Sequence, residues 1–319
     1  MAESPEVAPT RSRLTRRLFL KVGGLLGALA ALFGSRRAIA QAAKAAAPDA
    51  GSFADFWGGL FQQHYKKMGP EEVKATVARI ERRAKQQYGV DVTVGVEPAL
   101  AGVVFGYALN LSKCKGLRKC VEACVAENNL SRDPQIQYIR VLEMSHGDFD
   151  LNRGDHYYQA ETVPRPGKFY LPIQCMQCDN PPCVKACPVE ATWQERDGIT
   201  VIDYDWCIGC RYCMTACPYW ARHFNWGTPT IPAESLNPDT HYLGNRPRPK
   251  GVVEKCTFCI QRTRKDRQPA CLEACPTGAR IFGNLLDPNS DIRYILENKT
   301  VFRLKEELGT EPKFWYFTD

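Results

Sequence analysis

Cysteines stand at positions 207, 210, 213 and 217 in the stretch Asp203-Tyr-Asp-Trp-Cys-Ile-Gly-Cys-Arg-Tyr-Cys-Met-Thr-Ala-Cys-Pro218, and a proline directly follows the last. This Cys-x2-Cys-x2-Cys-x3-Cys-Pro run constrains the chain more than any other feature. Three closely spaced thiolates can wrap three irons of one cubane, while the fourth, on the first turn of the following helix, points to a different cluster. One run therefore implies a second cluster nearby. Zinc is the alternative, but a tetrahedral zinc site is usually built from separated Cys-x2-Cys pairs rather than a three-plus-one run.

The chain supplies the further ligands. Its 15 cysteines fall in four groups between residues 114 and 275. The first group is Cys114, Cys120 and Cys124; set against the run above, its missing member falls at Leu117. The second is Cys175, Cys178, Cys183 and Cys187, the same design with two extra residues before the third ligand. The third is the run itself, Cys207, Cys210, Cys213 and Cys217, and the fourth is Cys256 and Cys259, an 11-residue insert, then Cys271 and Cys275. Repetition of one small unit argues against accidental clustering. An odd total cannot be fully paired as intramolecular disulfides, and disulfide scaffolds are typically short chains, whereas this one has 319 residues.

Because each run's last cysteine serves the other cluster of its pair, the expected fold is α+β, with two bi-cluster ferredoxin-like lobes. The second and third groups, adjacent in sequence, make one lobe. Its clusters are expected on Cys175, Cys178, Cys183 and Cys217, and on Cys207, Cys210, Cys213 and Cys187. The first and fourth groups make the other lobe by closing around it. One cluster there takes Cys256, Cys259, Cys271 and Cys124; the last takes Cys114, Cys120 and Cys275 and has no cysteine for its fourth iron. Three 4Fe-4S clusters are thus expected, and the fourth site has three outcomes: a 3Fe-4S cluster, an open 4Fe-4S cluster, or three buried thiols. Leu117 supplies no ligand atom and can close the site against solvent, which favours the three-iron form.

The expected domains are a signal peptide at 1–40, a linker and helical leader at 41–100, the double iron-sulfur domain at 101–285 and a C-terminal extension at 286–319. Thr15-Arg-Arg-Leu-Phe-Leu-Lys21, a 13-residue apolar stretch from Val22 to Gly34, and the Ala-x-Ala end at Ala40 describe a twin-arginine export signal. The apolar stretch falls short of the roughly 20 residues a membrane span needs, although retention as an anchor is an alternative to cleavage. The twin-arginine route carries folded proteins, so clusters can be inserted before the chain meets an oxidising periplasm. Charge follows the same division. Seven of the 42 basic and two of the 35 acidic residues lie in the first 40, which leaves 35 against 33 and no electrostatic case for nucleic acid.

Along the mature chain, Phe53, Phe56, Trp57, Leu60 and Phe61 form an apolar patch expected to pack on the body. Pro70-Glu-Glu opens a helix carrying Val73, Val77 and Ile80 on one face, which Gly89 ends. Strands are expected within 90–96, 103–111 and 136–144, with a hairpin over 192–202 turning at Asp197-Gly198. Tyr219, Trp220, Phe224 and Trp226 are expected to shield clusters and fill core, and His223 to support rather than ligate. The basic stretch Arg246, Arg248, Lys250, Lys255, Arg262, Arg264, Lys265 and Arg267 is expected to be a solvated face.

With all four groups placed, residues 100–316 resemble the four-cluster iron-sulfur B subunits of the dimethyl sulfoxide reductase family, such as those of polysulfide and tetrathionate reductases. Asn237-Pro-Asp-Thr-His-Tyr-Leu-Gly-Asn245, Leu285-Leu-Asp-Pro-Asn-Ser290 and Phe302-Arg-Leu-Lys-Glu-Glu-Leu-Gly-Thr-Glu-Pro-Lys-Phe-Trp-Tyr316 resemble its exported branch, the DsrO-like periplasmic subunits of the Dsr membrane complex of sulfur metabolism. The resemblance implies a non-catalytic electron relay docked on a polytopic NrfD/PsrC-type membrane subunit that handles quinone. A periplasmic multihaem cytochrome c or other exported redox protein would stand at the other end. Two other readings compete with the wire: an enzyme with substrate on the open iron beside Cys114 and Cys120, and a zinc-stabilised interaction module.

Overall fold

A computed structural model describes residues 68–319. The expectations for the export signal and for the apolar patch at 53–61 lie outside those residues. The first described element is the helix Pro70–Tyr88. Its Pro sits where no intrahelical donor is needed, the Gly69 N–H donates to Glu72 Oε2 at 3.0 Å, and Gly89 takes the left-handed conformation (φ 71°) with its N–H on Lys85 O. The helix lays Ile80 and Ala84 against Val92, Val94, Ile231 and Leu236. Next to it Thr93–Gly95 pairs in parallel with Asp239–His241, which ties the leader to the middle of the chain.

The largest sheet has four strands in the order Arg280–Asn284, Phe105–Asn110, Phe314–Phe317, Val301–Phe302. Phe105–Asn110 has a strand on either edge and is buried at every position because both faces are packed, Phe105, Tyr107 and Leu109 in the main core and Ala108 against Ile292 and Phe317. It runs antiparallel to Arg280–Asn284, pairing Tyr107 with Phe282, and parallel to Phe314–Phe317. The helix Asp291–Asn298 covers one face through Ile292 and Ile295 against Ala108 and Phe317. Residues 286–319 therefore supply two of the four strands and a covering helix.

The cysteines ride on short helices between small antiparallel pairs. Arg140–Ser145 pairs with Lys168–Ile173, Arg222–Phe224 with Val253–Lys255, and Thr192–Gln194 with Thr200–Ile202 as the expected hairpin. The helices are Pro182–Lys185, Tyr212–Thr215, Ala270–Glu273 and the longer Lys119–Glu127. The first three carry the third cysteine of their runs, Cys183, Cys213 and Cys271, and end two residues before the fourth. The fourth cysteine lies past the helix, not on its first turn as expected, because the proline after it bars the helical conformation from the residue before. Cys124 is followed by Val125 instead, so Cys120 and Cys124 both stay inside Lys119–Glu127. Together these elements make an α+β domain built around a cluster-binding module.

Candidate metal centre

All 15 cysteines are free thiols, and Cys124, Cys178, Cys213, Cys256, Cys259 and Cys271 are buried. They gather in four places. Cys124 lies among Cys256, Cys259 and Cys271; Cys178 among Cys175, Cys183 and Cys217; Cys210 and Cys213 each beside Cys187 and Cys207; and Cys114 beside Cys120 and Cys275. Each gathering joins cysteines from two different runs. The gatherings also form a row: Cys120 neighbours Cys124 and Cys271, Cys256 neighbours Cys175, and Arg222 faces Cys175, Cys183 and Cys213.

Burial first, then the neighbouring sulfurs, push Cys178 up to about 12, and burial moves Cys114 and Cys213 up to about 11 and Cys256 to about 12. Cys275 runs the other way: burial would raise it, but hydrogen bonds from Thr277 and the Ala279 backbone and the charge of Arg280 bring it below the ordinary thiol value. Groups of mostly buried thiols that oppose one another's ionisation are poor bare thiolates and good ligands for a centre that brings several positive charges. Among the described residues no group of three or more His, Cys, Asp or Glu is disposed to hold a single metal ion. The donor set fits iron-sulfur clusters.

Two buried arginines fit the same group. Arg222 Nη2 donates to Cys183 Sγ and to Thr192 Oγ1, both at 3.0 Å, while its buried Nε and Nη1 have no partner. Arg280 Nη1 donates to Gln174 Oε1 at 2.9 Å and to Tyr107 OH at 3.3 Å and lies 3.9 Å from Cys271 Sγ; its buried Nη2 has no partner. Uncompensated buried charge is costly, and a thiolate-ligated cluster supplies the missing negative charge. Further donors reach sulfur: Asn128 Nδ2 at 3.6 Å from both Cys124 and Cys259, and the Phe258 N–H at 3.4 Å from Cys256. Arg222 and Arg280 are not among the site residues expected from the sequence, although a signal is there: Cys217-Pro-Tyr-Trp-Ala-Arg222 and Cys275-Pro-Thr-Gly-Ala-Arg280 put an arginine five residues after the last cysteine of a run.

Beside the three-cysteine gathering is a cavity of about 30 Å³ lined by Leu117 together with Leu109, Val141, Pro172 and Arg280. The loop that shapes it depends on Gly116 (φ 75°), where a Cβ would stand 2.3 Å from the Tyr170 ring. Leu117 lines the cavity together with Cys114, Cys120 and Cys275.

Two expectations are corrected. Most of the basic stretch is not a solvated face: Arg246, Arg248, Lys255, Arg262 and Arg264 are all under 8% exposed, and only Lys250, Lys265 and Arg267 are exposed as expected. Arg246 pairs with Asp205 at 3.2 Å, Arg262 with Glu127 at 3.1 Å, Arg264 with Asp197 at 3.1 Å, and Arg248 with Glu254. Most of these acids lie far upstream, which is why the stretch reads as exposed in one dimension. Trp220 and Trp226 do not fill core. They are 47% and 64% exposed, with Arg140 and Lys305 against Trp220 and Arg211 against Trp226, while Tyr219 turns inward.

The 237–245 segment has a structural task. Asn237 Nδ2 and Asn245 Nδ2 each donate to Glu127 O at 3.1 Å, satisfying a carbonyl at the end of the helix that bears Cys120 and Cys124. His241 is enclosed, receiving the Leu243 N–H at Nδ1 and donating Nε2–H to Glu97 O.

Residues 167–237 and 240–285 match the 4Fe-4S dicluster domain family. The selenate reductase B subunit of Mesobacillus selenatarsenatis is 39% identical over 239 residues, 72% of this chain and 76% of that protein. The menaquinone reductase iron-sulfur cluster-binding subunit of Nitratidesulfovibrio vulgaris is 38% identical over 68% of this chain and 89% of its own. The putative dimethyl sulfoxide reductase iron-sulfur B subunit of Halobacterium salinarum is 43% identical over 66% of this chain and 78% of its own. Built on four cysteine gatherings, the chain belongs to the iron-sulfur B-subunit family of dimethyl sulfoxide reductase-type respiratory reductases, as a non-catalytic electron-transfer subunit.

Proposed function

We propose that this chain is a four-site wire that passes single electrons between a membrane quinone-reactive subunit of the NrfD/PsrC type and another exported redox protein. The observation that carries the reading is the row of four cysteine gatherings, each drawn from two runs. Cys175, Cys178, Cys183 and Cys217, then Cys207, Cys210, Cys213 and Cys187, then Cys256, Cys259, Cys271 and Cys124 would each hold a 4Fe-4S cluster. Cys114, Cys120 and Cys275 would hold a 3Fe-4S cluster closed off by Leu117. The bound clusters would supply the reversible one-electron chemistry; the protein fixes their order, buries all four thiols of the Cys124, Cys256, Cys259 and Cys271 gathering and donates hydrogen bonds to sulfur.

The arrangement corresponds to two lobes, one from 175–217 and one from 114–124 with 256–275, in a domain spanning 101–285, preceded by a leader and followed by 286–319. Export by the twin-arginine route and a periplasmic place in a Dsr-type sulfur pathway extend the reading to residues 1–40 and to the 237–245, 285–290 and 302–316 motifs. Among the described residues no helix is long and apolar enough to cross a membrane, so contact with quinone would come through a partner.

The test is the metal content of anaerobically purified full-length protein with an electron paramagnetic resonance spectrum of its oxidised form. Iron without zinc, and a near-isotropic signal close to g of about 2, is the expected result. Zinc in place of iron overturns the assignment. Leu117→Cys should abolish the three-iron signal and raise the iron content; persistence of the signal removes Leu117 from the argument.

A further inference from the structure

Three cationic side chains lie at full depth, and each stands where two cysteine gatherings meet. Arg280 touches Cys271 of one gathering and acts electrostatically on Cys114, Cys120 and Cys275 of the next. Arg222 donates to Cys183 and acts on Cys175 in the same gathering and on Cys213 across the junction. Lys255, 1% exposed, donates from Nζ to Cys256 O at 2.7 Å and acts on both Cys256 and, across the lobes, Cys175 and Cys183. Four gatherings in a row have three junctions, and each holds one of these cations.

Their lack of other counter-ions sets them apart from the neighbouring arginines. Arg248, Arg262 and Arg264 are buried against carboxylates. Among the described residues Arg222, Lys255 and Arg280 have no carboxylate ion pair, and three of the guanidinium nitrogens of Arg222 and Arg280 have no hydrogen-bond partner within bonding distance. The two arginines occupy equivalent positions after their runs; in the second run that position is Thr192, whose Oγ1 accepts from Arg222. Arg222 and Lys255 are also cross-strand partners in the Arg222–Phe224 and Val253–Lys255 pair, so one ladder places both.

We propose that Arg222, Lys255 and Arg280 are positioning residues that set the relative reduction potentials of the clusters on either side of them, one cation per junction. The inference rests on the cluster assignment above. Adding an electron makes a thiolate-ligated cluster more negative, and a cation buried between two clusters favours that step on both sides, because the low-dielectric interior screens it little.

The experiment is a potentiometric titration of the anaerobic full-length protein, reduced with dithionite and followed by electron paramagnetic resonance. Arg222→Gln, Arg280→Gln and Lys255→Gln are each compared with a charge-keeping partner, Arg222→Lys, Arg280→Lys and Lys255→Arg. Each Gln variant should make reduction of its two flanking clusters about tenfold less favourable, 59 mV for one electron, and leave the other two unmoved. The charge-keeping variants should stay within about threefold of wild type. A Gln variant that loses iron while its charge-keeping partner retains it assigns that cation to holding the cluster and overturns the proposal for its junction. Equal shifts in both members of a pair, a shift spread evenly over all clusters, no shift, or iron loss in both members overturns it. Wild-type protein without iron defeats the cluster assignment instead, so the two failures are distinguishable.

Discussion

The cysteines at 175–217 and those at 114–124 with 256–275 have the same chemistry but are assembled differently. The first set is brought together by neighbours in sequence: two short helices and the Thr192–Ile202 hairpin between them. The second set is separated by the whole of the first and is brought together by sheet pairing at long range, Phe105–Asn110 against Arg280–Asn284 and Phe314–Phe317. Closing such distant segments costs chain entropy that the contiguous half does not spend, so the closure must be backed by a larger buried core. The packing agrees. Tyr107 and Phe314, both fully buried, stack at 4.9 Å with their rings 2° from parallel, and Phe282 and Phe258 complete the cluster.

The sharpest way to break this comparison is to weaken the closure alone. Phe314→Ala removes a fully buried ring from the sheet centre and should cost about 3–5 kcal/mol in denaturant unfolding. The spectroscopic signals assigned to the 114–124 and 256–275 half should be lost first; simultaneous loss of all signals would mean the halves do not differ in how they are held.

Acid should probe the second long-range tie, Thr93–Gly95 with Asp239–His241. Burial lowers the His241 imidazole from its ordinary 6.5 to about 4, and the Glu97 carboxylate oxygen, 3.9 Å away, does not reverse this. The unfolded chain therefore takes up a proton between pH 6.5 and 4 that the folded chain refuses. Stability from this group is complete above 6.5 and is lost as pH falls toward 4, by about 3 kcal/mol at most. The difference between wild type and His241→Gln in unfolding free energy should shrink across that window; a pH-independent difference would contradict the burial argument.

Gly116→Ala is a smaller and more local change. It places a Cβ against Tyr170 at a left-handed position and should cost about 1–3 kcal/mol. The signal assigned to Cys114, Cys120 and Cys275 should change while the Cys207 to Cys217 half keeps its spectrum. Smallest is Tyr107→Phe, which removes a hydroxyl 3.4 Å from Cys271 Sγ and 3.3 Å from Arg280 Nη1. A loss of about 1 kcal/mol, with a spectral change confined to the Cys271 gathering, is expected; an unchanged spectrum would mean that this hydrogen bond does not tune it.

Sequence reading went furthest where structure is local. The helix from Pro70, the hairpin over 192–202 and the strands near 105–110 and 140–145 follow from caps, turn residues and apolar alternation, and each is present. The α+β class and the iron-sulfur character followed from cysteine spacing, and the family agrees. Reading failed where a residue's environment comes from elsewhere. Arg262 and Arg264 look like surface charge until Glu127, Glu195 and Asp197 arrive from other segments. Trp220 looks like core, yet with a backbone φ of 51° it turns outward while Tyr219 turns in.

By itself, then, the sequence determined the iron-sulfur character of the chain and that its cysteines stand in three groups of four and one of three, because ligand chemistry and spacing are carried by the covalent chain. Tertiary structure decided which distant strands close the second half, which cations stand beside the cysteine gatherings without a carboxylate partner, and that 301–317 completes the sheet beside Phe105–Asn110. Those outcomes depend on what is buried against what, and burial is a property of the packed molecule that one-dimensional spacing does not encode.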